Sequence, residues 1–395
     1  NRCEEFKFIQ SQPQLYEFVR EKNPPLFKRL EAAIKKGQWE PEGAMWVESD
    51  TTLVSGESLV RQILYGKRYF LDHFDKESRI LWLPDVFGYS AALPQLLVQA
   101  EVPYFMSTKL SWNEFNQIPY DTFYWRGIDG SKVLTHFIPT PGTDYQPRPW
   151  FTTYNGILNV ETVMGGWKRY QQKYLNDTVL NAFGYGDGGG GPTDEMLELG
   201  TRLNQGVPGM PKGSFDTALS FFEKLEKDIG GKPVPHGDGE LYFEFHRGTY
   251  TTRAANKKWN RYLEFGLQNM EKLAVLLDKK HGERLETLWK ILLLNQFHDI
   301  LPGTSIKEVY EVTDVEYAWI ENELEAFEKD LLGVGNHYYL FNPTGLSHMS
   351  YYRSKDLAHL PDSNVWQVDR YGEAVVVLDM DGTYLTEHKP MELSK

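Results

Sequence analysis

The stretch Leu83-Pro84-Asp85-Val86-Phe87-Gly88-Tyr89-Ser90, with Leu93-Pro94-Gln95 just beyond it, decides the fold. The apolar run Ile80-Leu81-Trp82-Leu83 has the length and composition of a buried strand, and Pro84 stops it. Asp85 therefore stands at the C-terminal end of a strand, where α/β enzymes carry catalytic side chains on loops held by rigid elements. The residues after it are aromatic and small, which suits the face of a sugar better than a phosphate. Taken alone, the octapeptide is equally compatible with an ordinary strand-to-helix turn capped by Asp.

Strands and helices alternate on either side of this point. Phe6 to Gln12, Ala44 to Val47, Tyr104 to Ser107, Val133 to Phe137 and Val179 to Tyr185 read as strands. Gln14 to Arg20, Pro25 to Lys36, Ser58 to His73, Leu93 to Ala100, Val160 to Tyr174, Asp194 to Leu203 and Asp216 to Asp228 read as helices. That alternation predicts a largely parallel sheet with helices packed on it. The Pro-rich stretch Ile138 to Pro149 is long enough to be a substrate loop. From Lys257 the period changes, with Trp259, Tyr262, Leu263, Leu267, Met270, Leu273 and Leu277 on one helical face. Two further helices, from Glu283 and from Ile306 to about Leu332, predict a three-helix bundle. After Gly333, short apolar runs and turn signals such as Asp381-Gly382 predict the start of a β-rich domain. The expected domains are thus 1–240, 241–333 and 334–395.

Composition bounds the partners. A hydrophobic share of 41% over 395 residues is that of a globular chain with a sizeable core. Aromatic residues make up 14%, an enrichment suited equally to sugar stacking and to a large aromatic core. A net charge of -13 argues against nucleic acid or an anionic membrane as partner. No apolar run approaches a membrane span. Cys3 is the single cysteine, so no intrachain disulfide forms and a reducing compartment is favoured. The chain opens on Asn1 without Met, which reads as an excerpt of a longer protein.

Two further segments carry chemistry. Asp187 opens the run Gly188-Gly189-Gly190-Gly191, where glycine permits close backbone approach and positive φ. A phosphate loop would end in Lys-Ser/Thr and would not begin with an acid. His298 and Asp299 follow an apolar helix and precede the sharp stop Pro302-Gly303. A His near a helix end is ordinarily a cap or surface residue, but among carboxylates neutral imidazole is the commonest metal ligand. Two Asp residues on separate strand-end loops suit glycosidic bond cleavage, one attacking the anomeric carbon and one protonating the leaving oxygen. The same pair could instead hold a divalent metal for phosphoester hydrolysis, and spacing does not separate the two.

Six motifs in order carry a resemblance. Asp85 to Ser90, Gly186 to Pro192 and Gln296 to Gly303, with Ser107-Thr108-Lys109-Leu110-Ser111-Trp112-Asn113, Gly127 to Ser131 and His246 to Thr252, resemble α-mannosidases of glycoside hydrolase family 38, most closely the cytosolic and vacuolar branch. The resemblance implies an α/β barrel-like catalytic domain, a three-helix bundle and the start of a β-sandwich region. It implies a retaining exo-α-mannosidase with one zinc ion, cobalt being a neighbouring choice. Asp85 would be nucleophile and zinc ligand, His298 a second zinc ligand and Asp187 the general acid/base. Asp299, Phe87 and Lys109 would line the sugar pocket. Implied partners are mannose-containing oligosaccharides, with homo-oligomerisation left open, in the cytoplasm by preference and otherwise in the vacuole or lysosome.

One departure stands out. The family's His-x-Asp zinc motif on the first strand does not precede Ser11-Gln12, and is expected upstream of Asn1. A sugar-binding relative that has lost half its metal site is the rival from another class, and a metal-dependent phosphoester hydrolase is the third reading. The latter would need a basic anion site, which the surroundings of Asp187 do not offer.

Overall fold

The structure, a computed structural model, describes residues 3–140, 153–187, 189–333, 338–344, 348–354, 365–368, 374–380 and 385–388. Most of the Pro-rich stretch expected as a substrate loop, together with Gly188 and the Asp381-Gly382 turn, lies outside them. The chain divides into two compact units, Asn1–Arg261 with Lys290–Asp314, and Tyr262–Trp289 with Val315–Lys395.

The first unit begins with a parallel pair, β1 (Phe8–Gln10) and β2 (Trp39–Pro41), separated by helices α1 (Pro13–Lys22) and α2 (Pro24–Lys35). Helix α3 (Gly56–Phe74) is capped by Ser55, which accepts from Ser58 N, and ends at Asp75 in the left-handed region. The chain continues through β3 (Ile80–Trp82), β4 (Gly88–Tyr89), α4 (Leu93–Gln99), β5 (Tyr104–Ser107), β6 (Thr122–Arg126) and β7 (Lys132–Phe137). It then passes α5 (Val160–Arg169), α6 (Asp194–Gln205), α7 (Ala218–Ile229), β8 (His236–Asp238) and β9 (Leu241–Tyr242). The main sheet has the order β3-β5-β7-β6-β8. Its β3, β5 and β7 run parallel, β6 runs against β7, and β8 is parallel to β6.

The apolar run at Ile80 is continuous because both faces of this sheet are covered. Leu81 and Leu83 point to one side, among Phe105, Phe123, Trp125 and Val133, with Leu59 and Ile63 of α3. Ile80 and Trp82 point to the other, among Tyr104, Met106 and Leu134, with Phe221, Phe222 and Leu225 of α7. Tyr104 stacks on Phe222 with ring centroids 5.0 Å apart. The start of β3 is pinned by a buried carboxylate. Glu42 accepts from Gly43 N at 3.0 Å, Arg79 N at 3.0 Å, Ile80 N at 3.1 Å and the Ser78 hydroxyl.

Two sequence expectations change. Ala44 to Val47 is buried but bent, with Ala44 at φ 65°, and no strand forms. Its backbone passes so close to α3 that a Cβ on Gly66 would lie 2.1 Å from the Ala44 carbonyl oxygen. Val179 to Tyr185 makes only one isolated bridge, Phe183 with Gly156. On α3, Leu59, Ile63 and Phe70 are buried whereas Leu64 and Leu71 are exposed, so the buried face is narrower than the apolar pattern.

Helices α8 (Ala254–Leu276), α9 (Gly282–Leu294) and α10 (Lys307–Leu332) carry the chain between the units. Within the second unit, Leu263, Leu267, Leu273 and Ala274 are buried at helical spacing, while Tyr262 is exposed. The Arg284 guanidinium reaches Glu323 at 3.0 Å and Asp330 at 2.7 Å. Strands β10 (Tyr338–Phe341) and β14 (Leu385–His388) pair antiparallel, and β13 (Ala374–Met380) pairs between β11 (His348–Ser354) and β12 (Val365–Val368). No helix among the described residues is long and apolar enough to cross a membrane.

His136 on β7 gives the fold a pH signature. It is fully buried against Phe221, with Nδ1 3.0 Å from the Thr122 hydroxyl. Burial lowers its pKa from 6.5 to about 3, so the folded protein keeps it neutral. The unfolded chain then binds more protons, so this contribution to stability is full above pH 6.5 and is lost as pH falls from 6.5 toward 3. Urea unfolding of wild type should show a loss of about 1.4 kcal/mol per pH unit in that window that His136→Asn lacks. An identical pH dependence in the two proteins would contradict the assignment.

Candidate active site

Asp85 lies two residues beyond the last hydrogen bond of β3, in which Leu83 N donates to Met106 O at 3.1 Å. The turn is fixed from below, with the Thr108 hydroxyl donating to Pro84 O and the Tyr89 hydroxyl to Leu83 O, both at 2.7 Å. Gly88 has φ 138° and pairs with Tyr242 across β4 and β9, a backbone state that suits glycine. Because β5 ends beside β3, Lys109 reaches over, and its Nζ donates to Asp85 Oδ1 at 2.8 Å. The same ammonium lies 5.1 Å from the ring centre of Phe87 and 5.5 Å from that of Phe243.

His298 comes to this place from the far end of the unit. Backbone bonds run from Asp50 N to Gln296 O at 2.9 Å and from His298 N to Glu48 O at 3.2 Å, around an antiparallel bridge of Ser49 with Phe297. The helix stops at Leu294, so His298 sits in this extended pairing and not at a helix end. A buried amide pair supports it. Gln296 Nε2 donates to Ser58 Oγ at 2.9 Å and Asn260 Oδ1 at 3.0 Å, and Gln62 Nε2 donates to Leu293 O at 3.0 Å. His298 is only 4% exposed, so the usual reading of a His near a helix end as a surface residue does not hold here. Its Nε2 faces Asp85 Oδ2 at 3.9 Å and Asp299 Oδ2 at 4.0 Å. The Phe87 ring stands edge-on to the imidazole at 5.9 Å.

Asp187 lies apart from this group, exposed and with φ 59°, on the glycine loop. Tyr185 N donates to Gly191 O at 2.9 Å and closes that loop, and a Cβ on Gly190 would lie 2.5 Å from the Tyr185 carbonyl oxygen. Tyr154 connects the two candidate carboxylates. Burial, then the charges of Asp85 and Asp187, raises its pKa. Asp85, His298, Asp299, Phe87 and Lys109 thus stand together, with Asp187 within electrostatic reach of the same tyrosine.

Three residues here were given no role by the sequence reading. Tyr154 follows the Pro-rich stretch, where no pattern singles out a side chain. Glu48 accepts from the Ser11 hydroxyl at 2.6 Å. It keeps some solvent contact, yet lost hydration dominates and raises its pKa, and Asp85 adds to the rise. Its place after the apolar run Ala44 to Val47 was the available signal. His246 packs on Phe87 with ring centres 4.4 Å apart, and burial, then Lys109, lowers its pKa.

His298 Nδ1 donates to the Glu48 carbonyl at 2.7 Å, which leaves the Nε2 lone pair toward the carboxylates. An imidazole nitrogen beside carboxylate oxygens is a donor set that suits zinc. No three His, Cys, Asp or Glu side chains converge as a metal site among the described residues; His298 and Asp85 are two donors that could hold one.

Comparison with known proteins decides the family. The profile of the glycosyl hydrolases family 38 N-terminal domain matches residues 1–245, and that of the alpha mannosidase middle domain matches residues 244–334. The chain belongs to glycosyl hydrolase family 38. This family 38 chain is 43% identical to alpha-mannosidase G of Dictyostelium discoideum, over 78% of its own length and 27% of that protein's. Identity is 39% to an alpha-mannosidase of Saccharomyces cerevisiae and 40% to human alpha-mannosidase 2C1, in each case over 29% of the relative. The chain therefore spans less than a third of these relatives. An alpha-mannosidase from Enterococcus faecalis V583 shares the fold, with a TM-score of 0.74 at 16% identity over 99% of this chain and 52% of that one.

Gln296 tests how the site is held. Gln296→Leu would remove the buried hydrogen bonds of Gln296 with Ser58, Asn260 and Gln62, and should cost about 2 to 4 kcal/mol in urea unfolding. A cost under about 0.5 kcal/mol would place the support of His298 elsewhere.

Proposed function

We propose that this family 38 chain forms the catalytic part of a retaining, zinc-assisted exo-α-mannosidase that removes terminal α-linked mannose from oligosaccharides. The carrying observation is the set of Asp85, Lys109 and His298 brought together beyond the end of β3, with exposed Asp187 on the neighbouring glycine loop. The α-mannosidase names of the relatives support the same reading. It includes a barrel-like catalytic domain over 1–240, a three-helix bundle over 241–333 and the start of a β-sandwich over 334–395.

In this reading an Asp85 oxygen attacks the anomeric carbon as the bond to the leaving oxygen breaks. Asp187 gives that oxygen its proton. Asp187 then takes a proton from water, which attacks the same carbon and releases mannose and the Asp85 carboxylate. The Lys109 ammonium holds and orients the Asp85 carboxylate. Asp299 accepts from sugar hydroxyls, and Phe87 packs on the ring. When bound, zinc would be held by His298 Nε2 and Asp85, and supplies a positive charge to which vicinal sugar hydroxyls can bind. Glycine around Asp187 leaves room for a bulky leaving group.

Chelation of the whole protein should abolish hydrolysis of an aryl α-mannoside, and added zinc should restore it. Asp85→Asn should lose turnover and zinc together; full metal content in that variant would remove Asp85 from the ligand set. Asp187→Ala should slow substrates with poor leaving groups most, whereas a uniform loss would argue against an acid/base role.

A further inference from the structure

The sequence motif around His246 and the loop after Lys109 have no part in the chemistry above, yet they form one feature. Aromatic rings lead outward from the candidate site in an unbroken series. Phe87 touches His246 at 4.4 Å, His246 touches Phe243 at 4.8 Å, and Phe243 meets Phe245 at 5.9 Å. Phe87 and Phe243 are buried, His246 is half-buried, and Phe245 at the outer end is 50% exposed. Phe115, whose backbone N–H donates to Glu244 between Phe243 and Phe245, is 85% exposed.

Phe115 does not sit on a loose tip. The Glu244 carboxylate accepts from Glu114 N at 2.8 Å, Phe115 N at 3.1 Å and Asn116 Nδ2 at 2.8 Å. In return Asn113 Oδ1 accepts from Glu244 N at 3.0 Å, and Asn113 Nδ2 donates to Tyr242 O at 2.9 Å. One largely buried carboxylate between Phe243 and Phe245 is thus committed to holding the backbone under Phe115. Fixing a large apolar ring in water gains the fold nothing by burial, whereas a ligand that stacks on it finds the ordering already done.

We propose that Phe115, Phe245 and His246 form an outer sugar subsite, which binds the rings of an oligosaccharide on the leaving-group side of the scissile bond. The inference rests on the glycosidase reading and deepens it. Continuity identifies the occupant. The series begins at Phe87, beside Asp85 and His298, and the apolar C–H face of a pyranose is the flat, partly polar surface that aromatic faces accept without a charged partner.

The test compares the whole wild-type protein with Phe115→Ala and Phe245→Ala on α-mannosyl fluoride, whose leaving group has no sugar ring, and on an α-linked mannotriose. The ratio of kcat/KM for mannotriose to that for the fluoride should fall about 3- to 10-fold in each variant, mainly through KM, and Phe115→Tyr should restore it. A ratio within about twofold of wild type overturns the subsite, as does an equal loss on both substrates. The underlying reading fails separately, if wild type turns over neither compound. In that case saturation-transfer NMR of mannotriose decides. Loss of signals from the inner two sugar rings in the alanine variants supports the subsite, and their persistence overturns it.

Discussion

Backbone hydrogen bonds between residues 48–50 and 296–298 are the constraint on which the site depends. They join segments almost 250 residues apart in the chain, and they set His298 with Nδ1 on a carbonyl and Nε2 toward Asp85. A main-chain pairing fixes a side chain's origin more tightly than a side-chain contact could, because each strand residue is held on both flanks. The pairing survives in a buried setting only because Gln62 and Gln296 satisfy the polar groups around it.

The second support is the sheet. Both its faces are covered by apolar side chains, so β3 and β5 are fixed in register and their ends lie side by side. Register then places Asp85 and Lys109 within hydrogen-bonding distance, without further adjustment. Glu42 plays the matching part at the start of β3, where its carboxylate collects donors from Gly43 to Ile80 that would otherwise be buried unpaired. The strand is anchored at its entry and its reactive group emerges at its exit. The loop from Asn113 to Asn116 repeats the device with Glu244, this time to hold an aromatic ring in solvent.

Much of this was legible in the chain. Ile80 to Leu83 announces a strand because apolar side chains must leave water on both faces, and the stop at Pro84 exposes Asp85. Helices α3, α4 and α7 lie close to where their apolar spacing puts them. Ala44 to Val47 reads as a strand for the same reason, and the reading fails because burial there comes from passing against Gly66 in a bent backbone. Periodicity reports which residues are buried and is silent on whether the backbone is extended. Asp187 could be singled out, since glycines beside an acid are costly without cause.

The sequence by itself determined the family, the alternation of strands and helices, and the residue types available for chemistry, because these follow from local patterning and from motifs read in order. Tertiary structure alone decided which of them meet. Nothing local links Lys109 to Asp85, Glu48 to His298, or Glu244 to the loop carrying Phe115. Those contacts join distant parts of the chain, and their partners are chosen by sheet register and by the need of buried polar groups for hydrogen bonds. Both are properties of the folded whole and leave no periodic mark in the chain.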